Sequence, residues 1–261
     1  MRKGLWPVVL SSFLVTASLA WGADVTPDFS TIPTGWVTDR YQPASFANVG
    51  TYQGMNNVLG IGISSAQDFT NRPSPYQYTF YNTQGMQTPI TGGAGSVLQA
   101  ELYIPTAWSD AANGSVRTDM WGAMTDGTSV SAYPIIGFTN YGGAARLEAY
   151  DVNTGLWIDS TTSINYDAWT TLSIDYTGTS YEYGINGVTF STVTDLTGST
   201  AFQTAFMEAY NFGGDPSITG ANAVDYTAHW ANTPEPGFYG ALAIGMAGLL
   251  VAARRRRKAT A

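Results

Sequence analysis

The chain has 261 residues, no cysteine, one histidine, and 11 basic against 19 acidic side chains, a formal net charge of −8. Without cysteine there are no disulfides, thiolate nucleophiles or cysteine-based zinc sites, and a lone histidine excludes a multi-histidine metal centre within one chain. The charge is uneven: from Asp24 to Thr233 only Arg40, Arg72, Arg117 and Arg146 stand against 18 acids, a net of −14 that argues against nucleic-acid binding, which needs clustered Lys and Arg.

Met1 to Ala23 reads as a secretory signal peptide. Arg2 and Lys3 form a positive n-region, Leu5 to Leu19 is uncharged and apolar, and Ser18-Leu19-Ala20 offers small residues for cleavage. The alternative is an uncleaved anchor helix, for which the apolar run is short.

Residues 24–232 read as one extracytoplasmic domain. Apolar residues show no 3.6-residue period beyond two turns; short runs rich in Val, Ile, Thr, Tyr, Phe and Trp recur between Gly, Asn, Asp and Pro. Strands are expected at Tyr76–Tyr81, Ser96–Ile104, Val116–Ala123, Tyr133–Thr139, Ala145–Asp151 and Leu156–Ser160. Trp169 to Val193 predicts a three-stranded meander, with a turn at Thr177-Gly178-Thr179 and a type I′ hairpin at Asn186-Gly187. In Thr200–Tyr210 the spacing of Phe202, Phe206 and Tyr210 allows a helix, but the all-β surroundings favour a strand. No fixed repeat emerges, so the expected fold is a two-sheet antiparallel β-sandwich.

After Pro234-Glu235-Pro236 come Gly237, an apolar run from Phe238 to Ala253 that predicts a transmembrane helix, and the basic block Arg254, Arg255, Arg256, Arg257 and Lys258. The basic block would stay cytoplasmic, leaving the domain outside. This order, over 233–261, resembles the PEP-CTERM sorting signal of Gram-negative bacteria. The resemblance implies an exosortase partner, a membrane stage before processing, and an envelope or extracellular setting linked to exopolysaccharide and biofilm. An ordinary tail anchor is the alternative reading.

Asp167 to Val193, with Trp169, Tyr181 and Asn186-Gly187, resembles the late strands of concanavalin A-like, laminin-G-type jelly rolls. Val224 to Ala228 would then be the closing strand. That resemblance implies a jelly-roll sandwich, of which some members hold a structural calcium ion.

For chemistry, His229 is the only histidine and reads as a terminal-strand residue near the sorting motif rather than a triad base. Glu148 and Asp151 are the nearest pair of acids on one expected strand, yet three residues apart they face opposite sides. Jelly-roll glucanases of the concanavalin A-like class carry Glu-x-Asp-x-x-Glu strands, whereas Glu101, Glu148, Glu182 and Glu208 each lack an acid two positions away. No catalytic residue is therefore assigned and the protein is expected not to be an enzyme. Trp108, Trp121, Tyr141 and Trp157, in or near turns, are candidates for stacking on sugar rings. Asp215, Asn222 and Asp225 are candidate ligands for a structural calcium. The expected function is an exported, exosortase-sorted binding or structural component of an extracellular polysaccharide matrix. The alternative is a polysaccharide-active hydrolase or lyase whose acids come from separate strands.

Overall fold

A computed structural model describes residues 23–233. The signal peptide up to Gly22, the Pro-Glu-Pro motif, the 238–253 helix and the basic block lie outside the described residues. Among the described residues no helix is long and apolar enough to cross a membrane.

Among the described residues the chain forms sixteen strands joined by turns and short 3₁₀ segments. The first eight are β1 (Ala23–Asp24), β2 (Val37–Thr38), β3 (Ser45–Asn48), β4 (Leu59–Ile63), β5 (Thr83–Gly92), β6 (Ser96–Ile104), β7 (Arg117–Thr125) and β8 (Val130–Ala132). They are followed by β9 (Ile135–Thr139), β10 (Arg146–Asp151), β11 (Leu156–Asp159) and β12 (Ala168–Tyr176). The last four are β13 (Ser180–Ile185), β14 (Val188–Thr194), β15 (Ala201–Tyr210) and β16 (Tyr226–Ala231). One sheet runs β14-β13-β12-β6-β16-β4-β3, and the other β11-β10-β9-β7-β15-β5-β2 with β8 added beside β7. Pairing is antiparallel except for β1, which lies parallel to β6. The expected two-sheet sandwich is what the chain builds.

Side-chain alternation supplies the core. In β12, Thr170, Leu172, Ile174 and Tyr176 point inward and are buried, while their neighbours are partly exposed. They meet Met120 and Met124 of β7 and Ala205 and Met207 of β15 in one apolar cluster. Trp230 of β16, fully buried, reaches across and donates from Nε1 to Thr118 Oγ1 of β7 at 3.0 Å. This bond satisfies the indole N–H, which would otherwise be stranded between the sheets; the Thr118 hydroxyl itself donates to the Glu208 carbonyl at 2.8 Å.

The meander forms as expected, and Asn186 and Gly187 have φ of 51° and 76°, as a type I′ turn requires. Thr200–Tyr210 is a strand. A register shift between Phe202 and Thr204 turns Phe202 into the core while Phe206 and Tyr210 sit on the outer face. The expected strand at Tyr76–Tyr81 is instead two 3₁₀ turns, Ser74–Tyr76 and Thr79–Asn82. Pro73 and Pro75 remove ladder donors there, and Arg72 takes the Tyr81 carbonyl at 2.6 Å.

The closing strand begins two residues later than expected and is central, wedged between β6 and β4. His229 therefore stands on a sheet, with its ring stacked on Tyr52 at 3.8 Å and 5°. Asn232 ties the two ends of the domain together: its Oδ1 accepts from the Phe29 amide at 2.9 Å and its Nδ2 donates to the Pro27 carbonyl at 2.8 Å.

Replacing Trp230 by alanine should lower unfolding free energy by about 3–5 kcal/mol, since a large buried ring is removed from the core. Urea denaturation of the domain checks this; a loss below about 1 kcal/mol would contradict the role given to the ring.

Candidate active site on the outer face of the second sheet

The outer face of the second sheet carries three adjoining rows, each fixed by strand register. In the middle row, Gly85 of β5 pairs with Glu208 of β15, Glu208 with Asp119 of β7, and Asp119 with Gly137 of β9. Gly137 then pairs with Glu148 of β10, and Glu148 with Asp159 of β11. Four acids and two glycines thus cross five strand junctions in one line. Directly opposed Cα atoms lie about 4.5–5.5 Å apart, so the carboxyls are near neighbours although far apart in sequence. On one side lies an apolar row, Phe206, Trp121 and Ile135, with Tyr150 opposite Trp157 nearby. On the other side, Arg117 and Arg146 both pair with Thr139.

The glycines make room for the acids. A Cβ on Gly137 would collide with the Asp119 carboxylate, and one on Gly85 would come 2.7 Å from Glu208 Cδ. Any side chain at these positions would displace a carboxyl from the sheet surface.

Three of the four acids are buried: Glu208 at 0% exposure, Asp119 at 2% and Glu148 at 2%. Burial without compensation favours the neutral form of a carboxyl. The compensation is graded across the row. Arg117 donates from Nε to Asp119 Oδ2 at 2.9 Å, with Nη2 at 2.8 Å from the same oxygen and Nε 3.8 Å from Glu148 Oε1. Arg146 lies 3.3 Å from Glu148 and donates to Asp159 at 2.9 Å. Glu208 has no hydrogen-bond partner on either oxygen among the described residues.

The proton affinities follow this grading. Burial lifts Glu148 to about 7, with Arg117 opposing and Asp119 adding to the rise. Burial pushes Glu208 well above the carboxylate range, reinforced by Asp39 and opposed by Arg40. Burial also raises Asp119, against the pull of Arg117. Of the three, Asp119 has the cation most directly upon it.

Beside the acid row is a cavity of about 330 Å³ lined by Arg40, Arg117, Trp121, Tyr133, Trp157 and Tyr210, among others; none of the four acids lines it, and Arg117 stands between it and them. Each arginine at this cavity rests on aromatic faces. Arg117 Cζ is 4.0 Å from the Trp157 ring centre, and Arg40 Cζ is 4.6 Å from Trp121 and 4.4 Å from Phe80. Arg40 Nη1 lies 2.7 Å from Asp39 Oδ2 without the alignment of a hydrogen bond. Three of the four arginines among the described residues therefore gather on this one face. The fourth, Arg72, is buried at the Tyr41 ring, beside β5.

Of the aromatic candidates, Trp121 and Trp157 line this cavity. Trp108 does not; it packs at 5.4 Å on Phe138 and edges a second hollow of about 470 Å³. Tyr141 does not line it either; its ring packs on Phe212 at 4.8 Å, tilted by 43°, and its hydroxyl donates to the Thr219 carbonyl.

The calcium candidates have separate engagements. Asp215 accepts from Asn82 and Ser217, Asp225 from Ser65 at 2.6 and 2.8 Å, and Asn222 donates to the Ala111 carbonyl. Among the described residues no group of three or more His, Asp or Glu is placed to hold a metal ion.

Asp151 accepts from the amides of its own turn and does not join Glu148. Sequence reasoning missed Asp119, Glu208, Arg40 and Arg117. The signal was present in Arg117-Thr118-Asp119 and Arg146-Leu147-Glu148, where residues two apart on a strand share a face.

No protein-family model matches the chain, and no curated protein sequence matches it. Solved structures similar to it include a carbohydrate-binding module, CBM66, from Bacillus subtilis, at 10% identity and a TM-score of 0.41, covering 76% of this chain and 93% of that one. A Bacillus licheniformis beta-glucanase has 15% identity and a TM-score of 0.44, over 77% and 92% of the two chains. A beta-1,3-1,4-glucanase (lichenase) from a mouse hindgut metagenome has 11% identity and a TM-score of 0.47, over 78% and 94%. At this distance neither activity nor substrate passes from those proteins to this one.

The expectation that the protein is not an enzyme is nevertheless corrected. It rested on finding no acids alternating along a single strand. The acids are instead assembled across β15, β7 and β10, so the premise of that expectation does not hold.

Glu208 and Glu148 bind protons more tightly when folded than when unfolded, so their contribution is fully present below about pH 4.3 and lost as pH rises through the folded values. Stability attributable to this face should therefore fall between about pH 5 and pH 8. Glu208→Gln should flatten that fall and raise the urea midpoint at pH 8. An unchanged pH profile in the variant would show that Glu208 does not carry the buried proton.

Proposed function

We propose that the protein is a polysaccharide-active enzyme that lays a glycan chain across the outer face of the second sheet and cleaves it there. The observation that carries this reading is the acid row lying directly beside the aromatic row. Trp121 and Trp157 stand on strands three places apart, which at the usual strand spacing is about 14 Å, a span suited to more than one sugar ring. Their faces suit the apolar faces of pyranoses, and the arginines and tyrosines around them suit the hydroxyls.

In this reading Glu148 is the proton donor. A carboxyl with a proton affinity near 7 is substantially protonated at neutral pH and can protonate a glycosidic oxygen as the bond to the leaving sugar breaks. Asp119, ion-paired with Arg117, stabilises the positive charge that develops at the anomeric carbon, where water then adds and gives up a proton to the Glu148 carboxylate. Arg117 is the positioning residue, since it touches both acids and covers them. Substrate entry requires its stack on Trp157 to open, which exposes Glu148 when the site is filled.

Soluble β-1,3-1,4-glucan is the first probe. Glu148→Gln should cut reducing-end release at least about 100-fold while leaving glucan affinity in place, whereas Trp157→Ala should weaken affinity. Equal rates in the Glu148→Gln variant, or glucan binding by the unaltered protein with no cleavage, would remove Glu148 from the chemistry.

We also infer that the protein is exported and processed at its C-terminus by an exosortase, from the order Pro234-Glu235-Pro236, apolar run, Arg254 to Lys258. Mass spectrometry of surface material should find chains lacking the basic block. An intact C-terminus ending at Ala261 would rule this out.

A further inference from the structure

The segment between Arg72 and β5 is built in an unusual way. Arg72 is 2% exposed and donates from Nε to the Gln67 carbonyl at 2.9 Å and from Nη1 to the Tyr81 carbonyl at 2.6 Å and to Asn82 Oδ1 at 3.3 Å. Gln77 adds bonds from Nε2 to the carbonyls of Thr70 and Arg72 at 3.1 and 2.8 Å. Tyr76 is clasped between Tyr41 at 5.0 Å and Tyr81 at 5.2 Å. A buried arginine costs free energy unless its donors are met; Nε and Nη1 are spent on holding a surface segment, while Nη2 has no partner among the described residues.

That rigid segment displays aromatics instead of burying them. Tyr78 is 65% exposed and Phe80 54% exposed, the highest exposures of any aromatic side chains among the described residues. Phe80 is also continuous with the cavity, because Arg40 is sandwiched between its ring and that of Trp121. The backbone that carries these rings is already held in the free protein, which lowers the ordering cost of binding there.

We propose that Tyr78 and Phe80 form an outer subsite, beyond Arg40, that holds a further sugar unit of a long polysaccharide. This rests on the reading of the cavity as a glycan site and names its substrate class: a polymer, not a short oligosaccharide. The patch is too small and too broken by Ser74, Gln77 and Thr79 for a stable protein interface, which buries about 800 Å² on each partner. Two rings against successive pyranose faces need no such area.

The test compares soluble β-1,3-1,4-glucan with its trisaccharide, using the full domain and isothermal titration. Tyr78→Ala, which leaves the Arg40 stack intact, should weaken polymer affinity about tenfold and leave trisaccharide affinity within about twofold; Phe80→Ala, which also frees Arg40 at the cavity, should weaken polymer affinity at least as much. Tyr78 is exposed, so the melting temperature of its variant should not move. Unchanged polymer affinity in Tyr78→Ala, or an equal loss for polymer and trisaccharide in that variant, overturns the outer subsite while the cavity reading stands. Absence of any glucan binding by the unaltered protein overturns both.

Discussion

A carboxyl taken out of water must receive either a proton or a cation, and this one rule organises the outer face of the second sheet. Asp119 takes the cation, through Arg117 at 2.8 Å. Glu208 has no hydrogen-bond partner among the described residues, and burial pushes it well toward the protonated form. Glu148 stands between, with cations at 3.3 and 3.8 Å and a proton affinity near neutrality. Neighbours in one line of the sheet thus differ in how strongly the two guanidinium groups oppose their protonation. Acid–base chemistry needs such unlike acids side by side.

The arrangement also accounts for the distribution of cations. A domain carrying 18 acids and four arginines between Asp24 and Thr233 could scatter the arginines to relieve repulsion over its surface. Instead Arg117 and Arg146 are held against buried acids, and Arg40 and Arg72 against aromatic rings. The outer surface elsewhere keeps its negative charge, which favours solubility and discourages contact with anionic surfaces. Recognition at the face must then come from rings and hydrogen bonds at close range.

Much of the sandwich was legible in the sequence because alternation and turn chemistry are local. Leu172 to Tyr176 and Asn186-Gly187 contain everything their hairpins need. β4 and β5 were illegible for a related reason: Gly60 and Gly62 in one, and Gly85, Pro89 and Gly92 in the other, replace the β-branched residues by which a strand is recognised. Those glycines are there for neighbours, since a Cβ at Gly62 would strike Ser45 and one at Gly85 would strike Glu208. The acid row was hidden more deeply. Its members belong to strands whose adjacency is set by topology, so no window of sequence contains two of them together except through Arg117 and Arg146. Trp121 and Trp157 could be singled out as surface aromatics, but only strand order shows that they share a cavity and that Trp108 does not.

The position of β16 has a mechanical meaning. It is the last strand of the described domain, it is central, and it is paired with β4 from Tyr226 to Trp230 on one side and with β6 from His229 to Ala231 on the other. A pull on the chain beyond Thr233 is therefore carried as shear along two ladders at once, not as the unzipping of an edge. Trp230 passes the same load to β7 through its bond to Thr118, and β7 bears Asp119 and Trp121. A tether at the C-terminus and a polymer gripped on the far face would be joined through the middle of the sandwich, so tension between them runs through its strongest section.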